Sequence, residues 1–128
     1  MENRSSVLLI FTGGTISMGE NSSNHSLAPL DTKQVLSFIP ELQMLNVNIA
    51  SVSFSPLIDS SDIQPSNWIE IGHHIETHYN NFDGFVVLHG TDTMAYSAAA
   101  LSFMLDGLRK PVIFTGSQLP VGVLRSDA

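Results

Sequence analysis

Apolar runs that start and stop abruptly constrain this chain more than any other feature. Val7-Leu8-Leu9-Ile10-Phe11 is apolar without interruption and then meets Thr12-Gly13-Gly14-Thr15. An unbroken run, as opposed to an alternating one, is what a strand buried on both faces of a parallel sheet requires. The pattern recurs. Phe85-Val86-Val87-Leu88 stops at His89-Gly90-Thr91-Asp92-Thr93, and Pro111-Val112-Ile113-Phe114 stops at Thr115-Gly116-Ser117-Gln118. A further strand from Val47 to Phe54 carries its apolar residues mainly in alternation and is expected to end at Pro56.

Helical patterns separate these strands. Asp31 followed three residues on by Gln34 resembles a capping box, Val35, Phe38 and Ile39 give a short apolar face, and Pro40 closes the helix. Pro65 suits a first helical position, and Trp68, Ile71, Ile75 and Tyr79 recur at spacings of three and four. Met94 to Leu108 is rich in helix-favouring Ala, Leu and Met, with Gly107 near its end. Gly19 to Ser26 has no apolar periodicity and reads as a mobile surface loop. Strands alternating with helices predict an α/β fold: a Rossmann-like, three-layer domain on a parallel-stranded sheet with right-handed crossovers. No internal repeat or linker divides residues 1–128, which make one domain. Only the loop-like LPVGVLRSDA follows the fourth strand, so the sheet is expected to keep an open edge and a thinly covered face. The chain therefore reads as the front of something longer, short of its last strands and of a C-terminal domain.

Composition excludes several classes. The absence of cysteine removes a disulfide scaffold, a Cys-ligated zinc site and a thiol nucleophile together. A formal net charge of -7 leaves no basic face for nucleic acid or anionic membrane, so neither is an expected partner. No apolar stretch approaches the ~20 residues of a membrane span, and Val7–Phe11 is too short for a signal segment. A cytoplasmic chain is the expectation. His73, His74 and His78 are expected on a solvated helix face and not around a metal, because no H-E-x-x-H context surrounds them. His89 is read as a buried structural imidazole, and Trp68 as the side chain packing its helix onto the sheet.

Chemistry concentrates where the strands end. In open α/β sheets ligands bind beyond the carboxyl ends of the strands, so the TGGT, DSSD, HGTDT and TGSQ turns should share one rim. That rim offers Thr12, Thr15, Ser60, Ser61, Thr91, Asp92, Thr93, Thr115, Ser117 and Gln118. Taken singly, Thr and Ser residues near helix starts are more often N-caps than catalysts. Their repetition at corresponding places in the topology favours a site. Nucleotide binding fits poorly: G-x-G-x-x-G is incomplete, no acid ends the second strand at Phe54-Ser55-Pro56, and no Lys follows the first glycines.

TGGTIS (12 to 17), PLIDSSD (56 to 62), GFVVLHGTDTMAYSAAALSFML (84 to 105) and KPVIFTGSQLP (110 to 120) resemble the bacterial asparaginase family, in its cytoplasmic, type I branch. The resemblance runs over nearly all of the chain and implies hydrolysis of L-asparagine to L-aspartate and ammonia without metal or organic cofactor. It also implies a longer chain with a smaller C-terminal domain, assembled as a homo-oligomer. Position by position, Thr15 matches the family's first catalytic threonine and is taken as the nucleophile, and Thr91 matches the second, with the order of attack between the two left open by the sequence. Asp92 joins Thr91 and a lysine in a proton-handling triad. Ser60 would hold the substrate α-carboxylate and Asp92 its α-amino group. Asp59 follows the type I pattern at the substrate, with helix capping as its equally good alternative, and Ser117 would lie near the scissile amide. A threonine hydroxyl is a weak nucleophile, so activation of this kind is a physical requirement.

Two departures stand out. The loop GENSSNHSLAP lacks the tyrosine that many members close over the site, and His25 or Leu27 falls nearest its place. The lysines, Lys33 and Lys110, do not match the triad lysine. Two other readings share the motifs: a non-catalytic amino-acid-binding module, and the ammonia-generating subunit of a tRNA-dependent amidotransferase.

Overall fold

The computed structural model describes residues 4–20 and 27–128. In chain order the elements are β1 (Ser5–Gly13), β2 (Met18–Glu20), β3 (Leu27–Pro29), α1 (Thr32–Phe38), α2 (Glu41–Met44) and β4 (Val47–Ile58). They continue as α3 (Pro65–His78), β5 (Gly84–Leu88), α4 (Met94–Met104) and β6 (Val112–Thr115), with short 3-10 turns at Thr15–Ser17 and Ser60–Asp62. Four strands form one sheet in the order β4-β1-β5-β6. Every neighbouring pair in it is parallel.

The central place of β1 explains its unbroken apolar run. Leu8 and Ile10 face one way, into a core with Ile71 and Ile75 of α3, Leu101 of α4 and Phe85 and Val87 of β5. Leu9 and Phe11 face the other way and pack with Leu30, Val35 of α1, Leu88 and Val121. Alternate side chains of a strand point to opposite faces, so a strand covered on both sides needs apolar residues at every position. The result is the expected α/β layering. Coverage thins toward β6, where Ile113 is 55% exposed. Among the described residues no helix is long and apolar enough to cross a membrane.

Local signals place most boundaries. Asp31 and Gln34 form the reciprocal capping box, and Pro65 opens α3 behind Gln64, which forms a second box with Asn67. Lys110 closes α3 from below: its ammonium donates to the carbonyls of Tyr79 and Phe82 and lies 4.7 Å from the Tyr79 ring centroid. This cation completes a helix C-terminus, at the sheet edge where β5 and β6 begin.

Four expectations need correction. β4 does not end at Pro56 but runs on to Ile58. It lies at the sheet edge, where a residue lacking an N–H is tolerated, and its register slips so that Ser53 faces Phe11 while Ile58 faces Gly13. Pro40 ends α1 and also serves as the N-cap residue of α2, a short helix with no apolar periodicity long enough to announce it. α4 stops at Met104, short of Leu108, and Gly107 beyond it takes the left-handed φ of 68°. Gly19 and Glu20, expected in a loop, belong to β2, which pairs antiparallel with β3. The remainder of that loop, with His25, lies outside the described residues.

Candidate active site

The carboxyl ends of β1, β4, β5 and β6 lead into the four hydroxyl-rich turns, and a cavity of about 320 Å³ opens among them. Thr15, Asp59, Ser60, Thr91, Asp92 and Ser117 all line it. Met18 and Leu57 contribute apolar wall, and Gln118 a further amide.

Two glycines allow the turns to meet. A Cβ on Gly14 would lie 2.4 Å from Gly90 Cα, and a Cβ on Gly90 would lie 2.6 Å from Ser60 Oγ. Backbone therefore packs directly on backbone between the turns after β1 and β5, and the residues that follow each glycine, Thr15 and Thr91, reach one cavity. Ser17 steadies the first turn, donating from its buried hydroxyl to Gly13 O at 2.6 Å.

The other rim hydroxyls divide by direction. Thr12 is buried and donates to Leu88 O at 2.9 Å, tying β1 to β5 inside the sheet. Thr93 donates to Ser60 O at 2.6 Å and ties the turn after β5 to the turn after β4. Ser61 donates to Asp59, and Thr115 stays off the cavity wall. These four belong to the scaffold.

Asp59 combines the two readings left open for it. It accepts from the Ser61 N–H at 2.9 Å as a cap while also lining the cavity. That N–H, followed by the Ser61 hydroxyl, holds its carboxyl below the ordinary range. Ser60 is buried beside it. Ser117 is buried too, and its hydroxyl donates to Leu119 O at 2.6 Å.

Sequence patterns assign no role to the contact that reaches Thr91 directly. Gln118 Nε2 donates to Thr91 Oγ1 at 2.9 Å. The Gln118 backbone is itself clamped, because Asp127 accepts from the N–H groups of Gln118 and Leu119 at 3.0 Å. Those hydrogen bonds lower the Asp127 pKa. An acid nine positions along an irregular loop leaves no periodic signal.

Neither lysine lines the cavity. Lys110 is bound to the end of α3, and Lys33 is exposed on α1. The histidine expectation also changes in one detail. His74 and His78 are both half-buried, His74 with its ring 5.9 Å from Phe54, and His78 Nδ1 donates to His74 O at 2.8 Å. His89 is fully buried, as expected of a structural imidazole.

Burial pushes the pKa of both His74 and His89 below the ordinary value of 6.5. A base with a depressed folded-state pKa contributes stability above its unfolded pKa and loses it as pH falls. Asp59, Asp83 and Asp127, each held below 3.8 by hydrogen bonds, act in the same direction at lower pH. The urea midpoint, followed by Trp68 fluorescence, is expected to be flat above about pH 7. It should fall as pH drops through about 6.5 and fall again below about 4. Equal midpoints at pH 7.5 and pH 5.5 would contradict this.

Fold and cavity together define an α/β domain with a hydroxyl-lined cavity beyond the carboxyl ends of a parallel sheet, the place where such folds bind ligands. The family model described as "Asparaginase, N-terminal" matches residues 6–128. This chain belongs to the asparaginase family. It is 45% identical over 125 residues to L-asparaginase 1 of Escherichia coli, covering 97% of this chain and 37% of that protein. The crystal structure of L-asparaginase I from Vibrio cholerae superposes with a TM-score of 0.84 at 44% identity, covering 98% of this chain and 38% of that one. A glutamyl-tRNA(Gln) amidotransferase subunit of Pyrococcus horikoshii is 41% identical over 126 residues, covering 95% of this chain and 28% of that protein. The chain thus spans well under half the length of each of these relatives.

Proposed function

We propose that this chain is the N-terminal, site-bearing domain of an L-asparaginase that hydrolyses L-asparagine to L-aspartate and ammonia. The observation that carries the reading is the backbone contact of Gly14 with Gly90, which delivers Thr15 and Thr91 to one cavity. Thr15 attacks the side-chain amide carbon, forming a β-aspartyl ester as ammonia leaves, and water then cleaves the ester. Thr91 and Asp92 handle protons, with a lysine supplied by the part of the protein that the longer relatives also possess. The Gln118 amide occupies one lone pair of Thr91 Oγ1, which leaves the hydroxyl proton free to be passed on. Ser60, at the 3-10 turn, holds the substrate α-carboxylate, Asp59 lines the substrate site beside it, and Asp92 pairs with the α-ammonium. Ser117, tied back through its hydroxyl, supports the wall near the scissile amide. A second, C-terminal domain, a homo-oligomeric assembly and a cytoplasmic location belong to the same proposal.

Likeness to the amidotransferase protein favours a second reading, in which the same hydrolytic site feeds ammonia to a tRNA-linked acceptor. The net charge of -7 weighs against tRNA contact by these residues. Ammonia release by the longer protein without tRNA separates the two.

Calorimetry with L-aspartate tests the cavity on the 128-residue chain itself. Binding is expected, and Asp92→Asn should weaken it about tenfold, the loss of one charge-assisted hydrogen bond. Asp92 is exposed, so the substitution leaves the core untouched. No heat with the unaltered chain would overturn the assignment. Binding without hydrolysis by the longer protein would favour a non-catalytic module.

A further inference from the structure

His89 takes no part in the proposed chemistry, yet it directly precedes Gly90-Thr91-Asp92 and is 0% exposed. Its backbone N–H donates to Thr115 O at 2.9 Å, extending the ladder between β5 and β6 by one rung. Its ring is held at both nitrogens. Nδ1 lies 2.7 Å from Gly90 O, and Nε2 lies 2.8 Å from Ser97 Oγ on α4. Ser97 Oγ in turn accepts from Trp68 Nε1 of α3 at 2.9 Å.

The chemistry of these groups fixes every proton. A carbonyl only accepts, so Nδ1 carries the hydrogen toward Gly90 O. An indole N–H only donates, so Ser97 Oγ accepts from Trp68 and gives its own hydrogen to Nε2. Every polar group in this run of hydrogen bonds is satisfied with a neutral imidazole in the Nδ1–H form. A second proton on Nε2 would leave the Ser97 hydroxyl hydrogen without an acceptor, at a cost typical of buried unsatisfied groups. The downward pull of burial on the His89 pKa agrees with a neutral ring.

The carbonyl that His89 grips shares its peptide plane with the Thr91 N–H. In a trans peptide the C=O and N–H point in opposite directions. Gly90 and Thr91 both line the cavity, while His89 lies beneath them in the interior. A carbonyl drawn inward to the imidazole thus sends the next N–H outward.

We propose that His89 is a positioning residue for the site: its Nδ1–H fixes the Gly90–Thr91 peptide so that the Thr91 N–H faces the cavity as a hydrogen-bond donor to ligand oxygen. Ser97 and Trp68 lock the ring from below, which couples the packing of α3 and α4 to the aim of one backbone donor. A neighbouring turn adds support from above, since a Cβ on Gly116 would lie 2.4 Å from His89 O. The role as ligand donor rests on the proposed function, whereas the hold on the peptide does not.

Three measurements on the 128-residue chain decide it. Long-range 1H–15N correlation at pH 7.5 should show His89 neutral and protonated on Nδ1, and an Nε2–H ring overturns the proposal without any substitution. His89→Asn places an amide N–H where Nδ1–H stands, whereas His89→Leu removes the donor. The Gly90 carbonyl 13C and Thr91 amide 15N resonances should therefore stay near their original positions in His89→Asn and move in His89→Leu. Affinity for L-aspartate should be kept within about twofold by His89→Asn and lowered about tenfold by His89→Leu, the worth of one well-aimed hydrogen bond. Ser97→Ala, which frees the ring while leaving its donor, keeps the comparison open should His89→Leu fail to fold. It should cause shifts of the same sign and smaller size. Equal behaviour of His89→Asn and His89→Leu, or unmoved resonances in both His89→Leu and Ser97→Ala, overturns the positioning role. Failure of the unaltered chain to bind L-aspartate overturns the functional reading instead, and the ring tautomer and resonances still decide whether His89 holds the turn.

Discussion

In a protein of the relatives' full length, Thr15→Ala and Thr91→Val are each expected to lower kcat/KM for L-asparagine by about a hundredfold or more. Thr15→Ala removes the attacking oxygen, and among the described residues no other hydroxyl on the cavity wall stands at the same turn. Thr91→Val keeps the shape of the side chain and removes its hydroxyl. The Gln118 amide, which donates to Thr91 Oγ1, is then left to water, which it can reach because Gln118 is exposed. Neither substitution opens a core cavity, since both threonines are half-buried at the rim. Ammonia release measured against L-asparagine checks both. Because each tenfold corresponds to ~1.4 kcal/mol of transition-state stabilisation, a hundredfold loss is ~2.7 kcal/mol, in the range of one lost catalytic hydrogen-bonding group. Near-normal turnover in either variant removes that threonine from the mechanism.

The difference between Thr15 and Thr12 shows where sequence patterns stop being informative. Both flank the same two glycines after the same strand, and both are candidates for the rim on sequence alone. Thr12 is still within β1, and strand alternation turns it inward onto Leu88 O. Thr15 lies past the glycines, on the cavity side. Burial on two faces is written into consecutive residues, so β1, β5 and the helical face of Ile71 and Ile75 are legible directly. Edge position is not written locally, and Pro56 therefore reads as the end of a strand that in fact passes through it. Contacts made by irregular backbone are the least legible. Asp127 on Gln118, and Gln118 on Thr91, depend on a loop folding back over nine residues and then over 27. The Trp68–Ser97–His89 relay joins three elements whose sequence spacing carries no shared period.

Gly14→Ala is expected to damage the fold and the cavity together, because Gly14 both lines the cavity and packs on Gly90. Gly14 has φ 76° and ψ 172°, a region essentially confined to glycine, where a side chain costs ~1–3 kcal/mol in backbone strain. The added Cβ would also stand 2.4 Å from Gly90 Cα and 2.5 Å from Gly90 N. Those neighbours are backbone of a turn held by the sheet ladder and by His89, so they cannot swing aside as a side-chain tip could. Relief requires the two turns to separate, which moves Thr15 away from Thr91. A stability loss of ~2–4 kcal/mol in urea unfolding is expected, together with loss of measurable L-aspartate binding by calorimetry. Gly107→Ala supplies the comparison. Its φ of 68° brings strain, but a Cβ there meets nothing within 4 Å. That variant should lose ~1 kcal/mol and bind L-aspartate normally. If Gly14→Ala and Gly107→Ala cost the same and both bind, the two turns are not in the tight backbone contact that brings the threonines together.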